Sequence, residues 1–95
     1  MSASAIDRAP GGGGPHGKRW TDADGIHIDV RGLAPPAPLV AIIDLVVSIR
    51  DATPVIVHHD RDPVMLYGEL AERGWTIERI ASATGEVRLK LERVR

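Results

Sequence analysis

The side chains best suited to chemistry lie in the segment HHDRDP, which begins at His58. Imidazole nitrogens bind Zn, Cu and Fe, so His59 and Asp60 are candidate ligands for a metal ion or haem, with His58 or His27 as a further ligand. Neighbouring residues of a strand point to opposite faces, so His58 and His59 can reach one site only if the strand has already ended. The alternative is a pair of surface imidazoles that hydrogen-bond Asp60 or Asp62, and no characteristic ligand spacing decides between the two.

The same segment carries two carboxylates and one of two nearby arginines. Asp60 and Asp62 could form an acid–base pair only if a closed pocket raised the pKa of one of them, and a short turn in a small domain offers little enclosure. We therefore interpret Asp62 as a helix cap. Arg61, together with Arg31 in an earlier loop, could clamp a carboxylate or phosphate. The alternative is that both arginines are solvated beside acids such as Asp29.

The elements that must position these residues follow from the hydrophobic pattern. Alternating residues predict strands, and apolar residues three and four apart predict helices. The predicted order is a strand at 26–30, a helix that begins at Pro35 or Pro36, a strand in VIVHH, a helix capped by Asp62 and ended by Gly74, and strands at 75–80 and 86–94. This order, βαβαββ, predicts an α/β two-layer sandwich with a four-stranded mixed sheet and both helices on one face. The first two strands should be parallel and the last two a hairpin.

Both predicted helices begin where a strand ends, so both helix starts should lie at one edge of the sheet. Unpaired N–H groups and the positive ends of helix dipoles collect at such an edge and attract anions and ligands. The predicted ligand or partner edge consists of Arg31, Gly32, Pro35, Pro36, His59, Asp60, Arg61 and Asp62.

Composition limits the classes of function. The chain has 95 residues, a formal charge of -1 and no cysteine, which argues against nucleic-acid and anionic-membrane partners and excludes thiolate chemistry. No long apolar run or secretory signal is visible, so a cytoplasmic protein is expected. Residues 1–24 are rich in Gly and Pro and are predicted to be a disordered arm, although Trp20 could fold back onto the domain at 25–95. The four glycines from Gly11 lack the strand and the Lys-Ser/Thr helix start of a phosphate loop.

The segment IDVRGLAPPAPL resembles the start of the TusA-like (SirA-like) sulfur-carrier domains, whose pattern is roughly Leu-Asp-x-x-Gly-Leu-x-Cys-Pro-x-Pro. The positions in register are Asp29, Gly32, Leu33, Pro36 and Pro38. The resemblance implies the TusA-like fold over about residues 26–94. Pro35 stands where the sulfur carriers have their cysteine, and it supplies neither a nucleophile nor an N–H group. Persulfide transfer by this chain is therefore excluded.

The chain is more similar to a cysteine-less TusA-like family known only as domain of unknown function number 2249. That family resembles it in DVRGL, in a Pro-rich helix start and in a loop like Asn-Asp-His-Asp-Pro. Here the loop runs from His59 to Pro63, and Arg61 stands at the position of the family's histidine. Members often occur beside hemerythrin-like modules, an association that suggests redox or nitrogen-oxide physiology.

Two functions remain open from the sequence. The first is a non-catalytic binding or interaction module for a protein partner or small anionic ligand, with no cofactor. The second is a metal- or haem-binding accessory protein that uses His58 and His59. The first helix also has a wide apolar face, since Val40 and Leu45 lie beside its main stripe. This face either contacts a second copy in a weak homodimer or is a broad core surface.

Overall fold

A computed structural model describes residues 17–94. Two helices and five strands follow one another as β1 (Lys18–Asp22), β2 (Gly25–Asp29), α1 (Ala37–Ser48), β3 (Val55–His59), α2 (Val64–Glu72), β4 (Trp75–Ile80) and β5 (Val87–Arg93). The strands form one mixed sheet in the order β1-β2-β3-β5-β4. The architecture is a two-layer α/β fold.

The strand pairing matches the predicted pairing wherever the two can be compared. β2 and β3 are parallel, as expected for a strand–helix–strand unit. β4 and β5 are antiparallel and form the predicted hairpin. β5 also pairs with β3 in antiparallel orientation, so it lies inside the sheet and leaves β4 at the edge.

The first strand corrects the predicted four-stranded βαβαββ order, which was wrong by one strand. β1 pairs with β2 in antiparallel register from Lys18 opposite Asp29 to Asp22 opposite Gly25. Four of its five residues are exposed, so the sequence shows no alternation of apolar and polar residues that would predict this strand. Its residues fall in the segment assigned to an arm, and residues 1–16 of that segment lie outside the described part of the chain.

The two helix starts differ in detail from the prediction. α1 begins at Ala37 with Pro36 in the N-cap position, and α2 begins at Val64 with Pro63 in that position. The Asp62 side chain does not cap α2, because the N-cap position falls on Pro63. The Asp62 carboxylate accepts a hydrogen bond from the Tyr67 hydroxyl at 2.5 Å.

The core is aliphatic and lies between the helices and one face of the sheet. Its buried members are Ile28, Val30, Ala41, Ile42, Leu45, Val46, Ile49, Val55, Val57, Leu66, Leu70, Trp75, Val87, Leu89 and Leu91. Leu45 therefore belongs to the core, whereas Val40 and Val47 leave 48% and 59% of their surface exposed. Neither helix has the length and hydropathy that a membrane crossing needs, within residues 17–94.

Candidate functional site

A cleft of about 270 Å³ lies where the two helices begin. Its walls come from the loop before α1, the first turns of both helices and the loop before α2. The lining residues are Leu33, Pro35, Pro36, Pro38, Leu39, Ile42, His59, Arg61, Asp62, Pro63, Val64, Met65 and Leu66. All but three of these residues are apolar. The structure thus brings together five residues of the predicted edge, namely Pro35, Pro36, His59, Arg61 and Asp62.

Two of the other three predicted edge residues, Gly32 and Asp60, connect the two loops around this cleft. The backbone N–H of Gly32 donates a hydrogen bond to Asp60 Oδ2 at 3.0 Å, which joins the loop before α1 to the loop before α2. This bond is the main reason that the pKa of Asp60 lies below its usual value. Arg31 makes two hydrogen bonds to Asp29, at 2.9 and 2.8 Å, so its guanidinium is already paired.

His59 contributes the only imidazole of the cleft among residues 17–94. Its side chain is 4% exposed, and Nδ1 accepts the backbone N–H groups of Asp60 at 2.9 Å and Arg61 at 3.3 Å. Asp60 Oδ1 also lies 3.2 Å from Nδ1, but a nitrogen that accepts two N–H groups carries no hydrogen to donate. The ring hydrogen is therefore on Nε2. Burial lowers the pKa of His59 and favours this neutral form.

The start of α1 is poor in hydrogen-bond donors. Pro35, Pro36 and Pro38 have no backbone N–H, and the N–H of Ala37 is already bonded to Ala34 O at 2.9 Å. α2 likewise follows Pro63. The expectation that anions would collect here rested on unpaired N–H groups at both helix starts. Proline removes most of those groups from α1. The edge is therefore lined mainly by apolar side chains rather than by the N–H groups that would bind an anion.

The structure does not bring His58 and His59 together. Both belong to β3, which continues to His59 and pairs with β5 over its whole length. Consecutive strand residues point to opposite faces, so His59 lies on the helix side and His58 on the open face of the sheet. The predicted joint metal or haem ligation by the two histidines has no common site in this geometry.

On the open face, His58 belongs to a chain of hydrogen-bonded side chains. His27 Nε2 lies 2.7 Å from Asp24 Oδ1, His27 Nδ1 lies 2.8 Å from His58 Nε2, and His58 Nδ1 lies 2.6 Å from Glu86 Oε2. Arg88 closes the chain with two hydrogen bonds to the Glu86 carboxylate, at 3.2 and 3.0 Å. A chain of five polar side chains thus crosses from the β1–β2 turn to β5.

The three central side chains of this polar chain are shielded from water. The side chains of His27 and His58 are each 9% exposed, and that of Glu86 is 6% exposed. The Trp20 ring lies over both histidines, with centroid distances of 5.0 Å to His27 and 5.2 Å to His58. Arg88, followed by His58, lowers the pKa of Glu86 despite its burial. His27 lowers the pKa of Asp24, whose carboxylate faces solvent.

Sequence reasoning missed two members of this chain. Asp24 lay in the assigned arm, and Glu86 was interpreted only as the first residue of a strand. The alternation of Ile26, His27 and Ile28 did place His27 on the outer face. Its partner could be found only from the β2–β3 register, which sets His27 opposite Ile56 and Asp29 opposite His58.

Fold and cleft together define a small α/β domain with an apolar cleft at the start of its two helices, and the described residues that line this cleft include no Ser, Thr, Cys or Lys. The chain belongs to the DUF2249 family of uncharacterised conserved proteins, whose match covers residues 27–93. That range begins inside β2 and ends with β5, so β1 and the β1–β2 turn precede it. A search among curated proteins finds no match.

Proposed function

We propose that this domain is a non-catalytic interaction module whose cleft receives an apolar side chain of a protein partner. The observation that carries the proposal is the apolar rim of the cleft. Val64 and Met65 at the start of α2 leave 70% and 74% of their surface exposed, beside a cavity whose walls are themselves apolar. Exposed apolar surface next to a pocket is a common feature of protein interfaces, and methionine is enriched there.

The rigidity of the walls supports this function. Three prolines line the α1 side of the cleft, and the Gly32–Asp60 hydrogen bond fixes the two loops relative to each other. A preorganised pocket loses little conformational entropy when a side chain enters it. A single anchor side chain in a pocket, with flatter apolar contacts around it, is the usual arrangement of a binding hot spot.

The chemistry of the rim favours such a partner over a small anion. Arg61 is the one cation in the lining, and it lies 3.5 Å from Asp60 in a solvent-exposed ion pair. The carboxylates of Asp60 and Asp62 both lie in the same loop, and they would repel an anionic ligand. On a TusA-like scaffold, Pro35 also stands where the sulfur carriers have their nucleophilic cysteine. We therefore do not extend the proposal to catalysis or to a metal site at His58 and His59.

The proposal can be tested with a displayed library of random linear peptides selected against the full chain. We expect enriched peptides to share one large apolar residue and to shift the amide signals of Leu33, Leu39 and Leu66 in NMR titrations. Met65→Glu should weaken binding at least tenfold. Val47→Glu places the same charge on an exposed valine of α1 outside the cleft, so it should leave binding unchanged.

Three results would contradict the proposal. The first is that no peptide family is enriched, and the second is that Met65→Glu and Val47→Glu affect binding equally. The third is that acetate or inorganic phosphate shifts the cleft signals while the peptides do not, which would assign the cleft to a small anion.

A further inference from the structure

The polar chain on the open face lacks one hydrogen. It contains three contacts that each need a hydrogen between two heavy atoms: Asp24 to His27, His27 to His58, and His58 to Glu86. Ionised carboxylates supply none, and two neutral imidazoles supply two in total. At these distances one of the three contacts must therefore hold an additional proton, which a metal ion can replace only if that contact opens.

Burial indicates which contact holds the additional proton. The two inner contacts join side chains that are 6% to 9% exposed, and a buried polar group without its hydrogen is costly. His27 Nδ1–H then donates to His58 Nε2, and His58 Nδ1–H donates to Glu86. This assignment leaves a lone pair on His27 Nε2, which faces the Asp24 carboxylate. Asp24 is 59% exposed, so this outer contact is the one that dissolved ions can reach.

A third candidate ligand lies at the same place. One oxygen of Asp22, one oxygen of Asp24 and a ring nitrogen of His27 lie within 4.8 Å of one another. Asp22 is the last residue of β1, and its Oδ1 accepts the backbone N–H of Ala23 at 2.8 Å. Two carboxylates, one at the end of β1 and one in the β1–β2 turn, therefore lie near the His27 Nε2 lone pair that has no hydrogen.

We propose that Asp22, Asp24 and His27 form a binding site for a divalent transition-metal ion, with Zn²⁺ as its representative. One imidazole and two carboxylates are a donor set that Zn²⁺ accepts, with bond lengths near 2.0–2.2 Å. A tetrahedral ion at those lengths separates its ligand atoms by about 3.3 Å. The 2.7 Å contact between Asp24 and His27 must therefore open slightly, which the exposed Asp24 side chain permits. Water completes the coordination.

The buried part of the chain has the form of an outer shell for this metal site. A histidine that binds a metal usually donates its other ring N–H to an acceptor, which fixes the ring and its tautomer. Here His27 donates to His58, His58 to Glu86, and Glu86 accepts from Arg88. The Trp20 ring covers His27 at 5.0 Å and limits access of water from that side.

This site is independent of the cleft proposed for partners. His27 lies on the open face, whereas the cleft lies on the helix side of the sheet. Asp22 and Asp24 also precede the range matched by the family, so the site depends on residues outside that range. Failure of either proposal therefore leaves the other unaffected.

The test is a calorimetric titration of the full chain with Zn²⁺ at pH 7, repeated in two buffers with different ionisation enthalpies. We expect one Zn²⁺ per chain and release of up to one proton, because the metal replaces the additional proton of the chain. Asp22→Asn should weaken binding at least tenfold. Asp44→Asn removes the same charge from an exposed position on α1 and should not change it.

A second variant tests the outer shell. His58→Gln should weaken Zn²⁺ binding by roughly 10- to 100-fold, as expected for loss of an outer-shell partner. Since His58 is buried, circular dichroism must first show that this variant is folded; Asp22→Asn changes an exposed side chain and tests the site whatever the result. Absence of stoichiometric binding, or equal binding by wild type and Asp22→Asn, would overturn the proposal and leave this contact to the additional proton.

Discussion

Asp60 and Gly32 are joined by a 3.0 Å hydrogen bond from the backbone N–H of Gly32 to the Asp60 carboxylate, across 28 residues of sequence. This contact connects the loop before α1 to the loop before α2. Since the cleft lies between the starts of these helices, its shape depends on how the two loops are held together. A carboxylate acceptor makes the bond stronger than one between neutral groups.

We predict that Asp60→Ala loosens the cleft more than it unfolds the domain. Loss of one partly exposed hydrogen bond should lower the free energy of unfolding by about 1 kcal/mol. The Gly32 amide should exchange with solvent at least several times faster, which hydrogen exchange followed by NMR measures directly. Arg31→Ala in the same loop is the control, and it should leave Gly32 exchange unchanged. Equal exchange rates in wild type and Asp60→Ala would contradict the prediction.

A second prediction concerns the entry into β2. Gly25 has φ of 134°, and a Cβ there would lie 2.3 Å from the carbonyl oxygen of Pro54. We expect Gly25→Ala to lower the free energy of unfolding by several kcal/mol, because both the backbone angle and the contact must change. Gly68→Ala is the matched control. It lies within α2 with open space around it, so the variant should be more stable by roughly 0.5–1 kcal/mol. Chemical denaturation of both variants checks the pair.

The sequence was sufficient to predict the strands and helices that have one buried apolar face and one exposed polar face. Alternation in β2 and β5 and the helical period of α1 arise because one face of each packs on the core, so the pattern itself records the fold. The edge at which the cleft lies could be predicted for the same reason, since both helices follow strands that end at one edge. The apolar, enclosed character of the cleft could not, because the sequence analysis expected unpaired N–H groups and little enclosure there. Pro35 and Pro36 also gave the start of α1 to within two residues.

Features that depend on pairing between distant residues could not be predicted in this way. β1 is an edge strand whose side chains are mostly exposed, so only its backbone pairing with β2 identifies it. The contact between His27 and His58 depends on the register of two strands separated by a helix. Asp62 was an acceptable helix cap by residue type, but the helix starts one residue later, with Pro63 in the N-cap position, and the Asp62 carboxylate bonds the Tyr67 hydroxyl.

The third prediction is a pH dependence that originates at His59. Burial lowers its pKa in the folded state, so below the ordinary histidine value near 6.5 the unfolded chain binds more protons than the folded chain. The free energy of unfolding should therefore decrease as the pH falls from about 7.5 through 6.5, and this loss should level off below the folded-state pKa. Urea unfolding between pH 5 and 8 measures the slope.

The His59→Gln variant separates this effect from that of the other histidines. It removes the titrating group, so its stability should depend less on pH over the same range, even if it is less stable than wild type at pH 7.5. Identical slopes for the two proteins would show that His59 does not cause the dependence.

The last prediction concerns the attachment of β1. Trp20 is the one residue of that strand with a partly buried side chain, and its ring contacts both His27 and His58. Trp20→Ala should lower the free energy of unfolding by about 1–2 kcal/mol, through lost stacking and lost apolar burial. Amides of β1 that pair with β2 should exchange at least tenfold faster. Arg19→Ala keeps the same ladder and changes an exposed neighbour, so we expect a loss below about 0.5 kcal/mol. If the two variants exchanged at equal rates, backbone pairing alone would hold β1 in place.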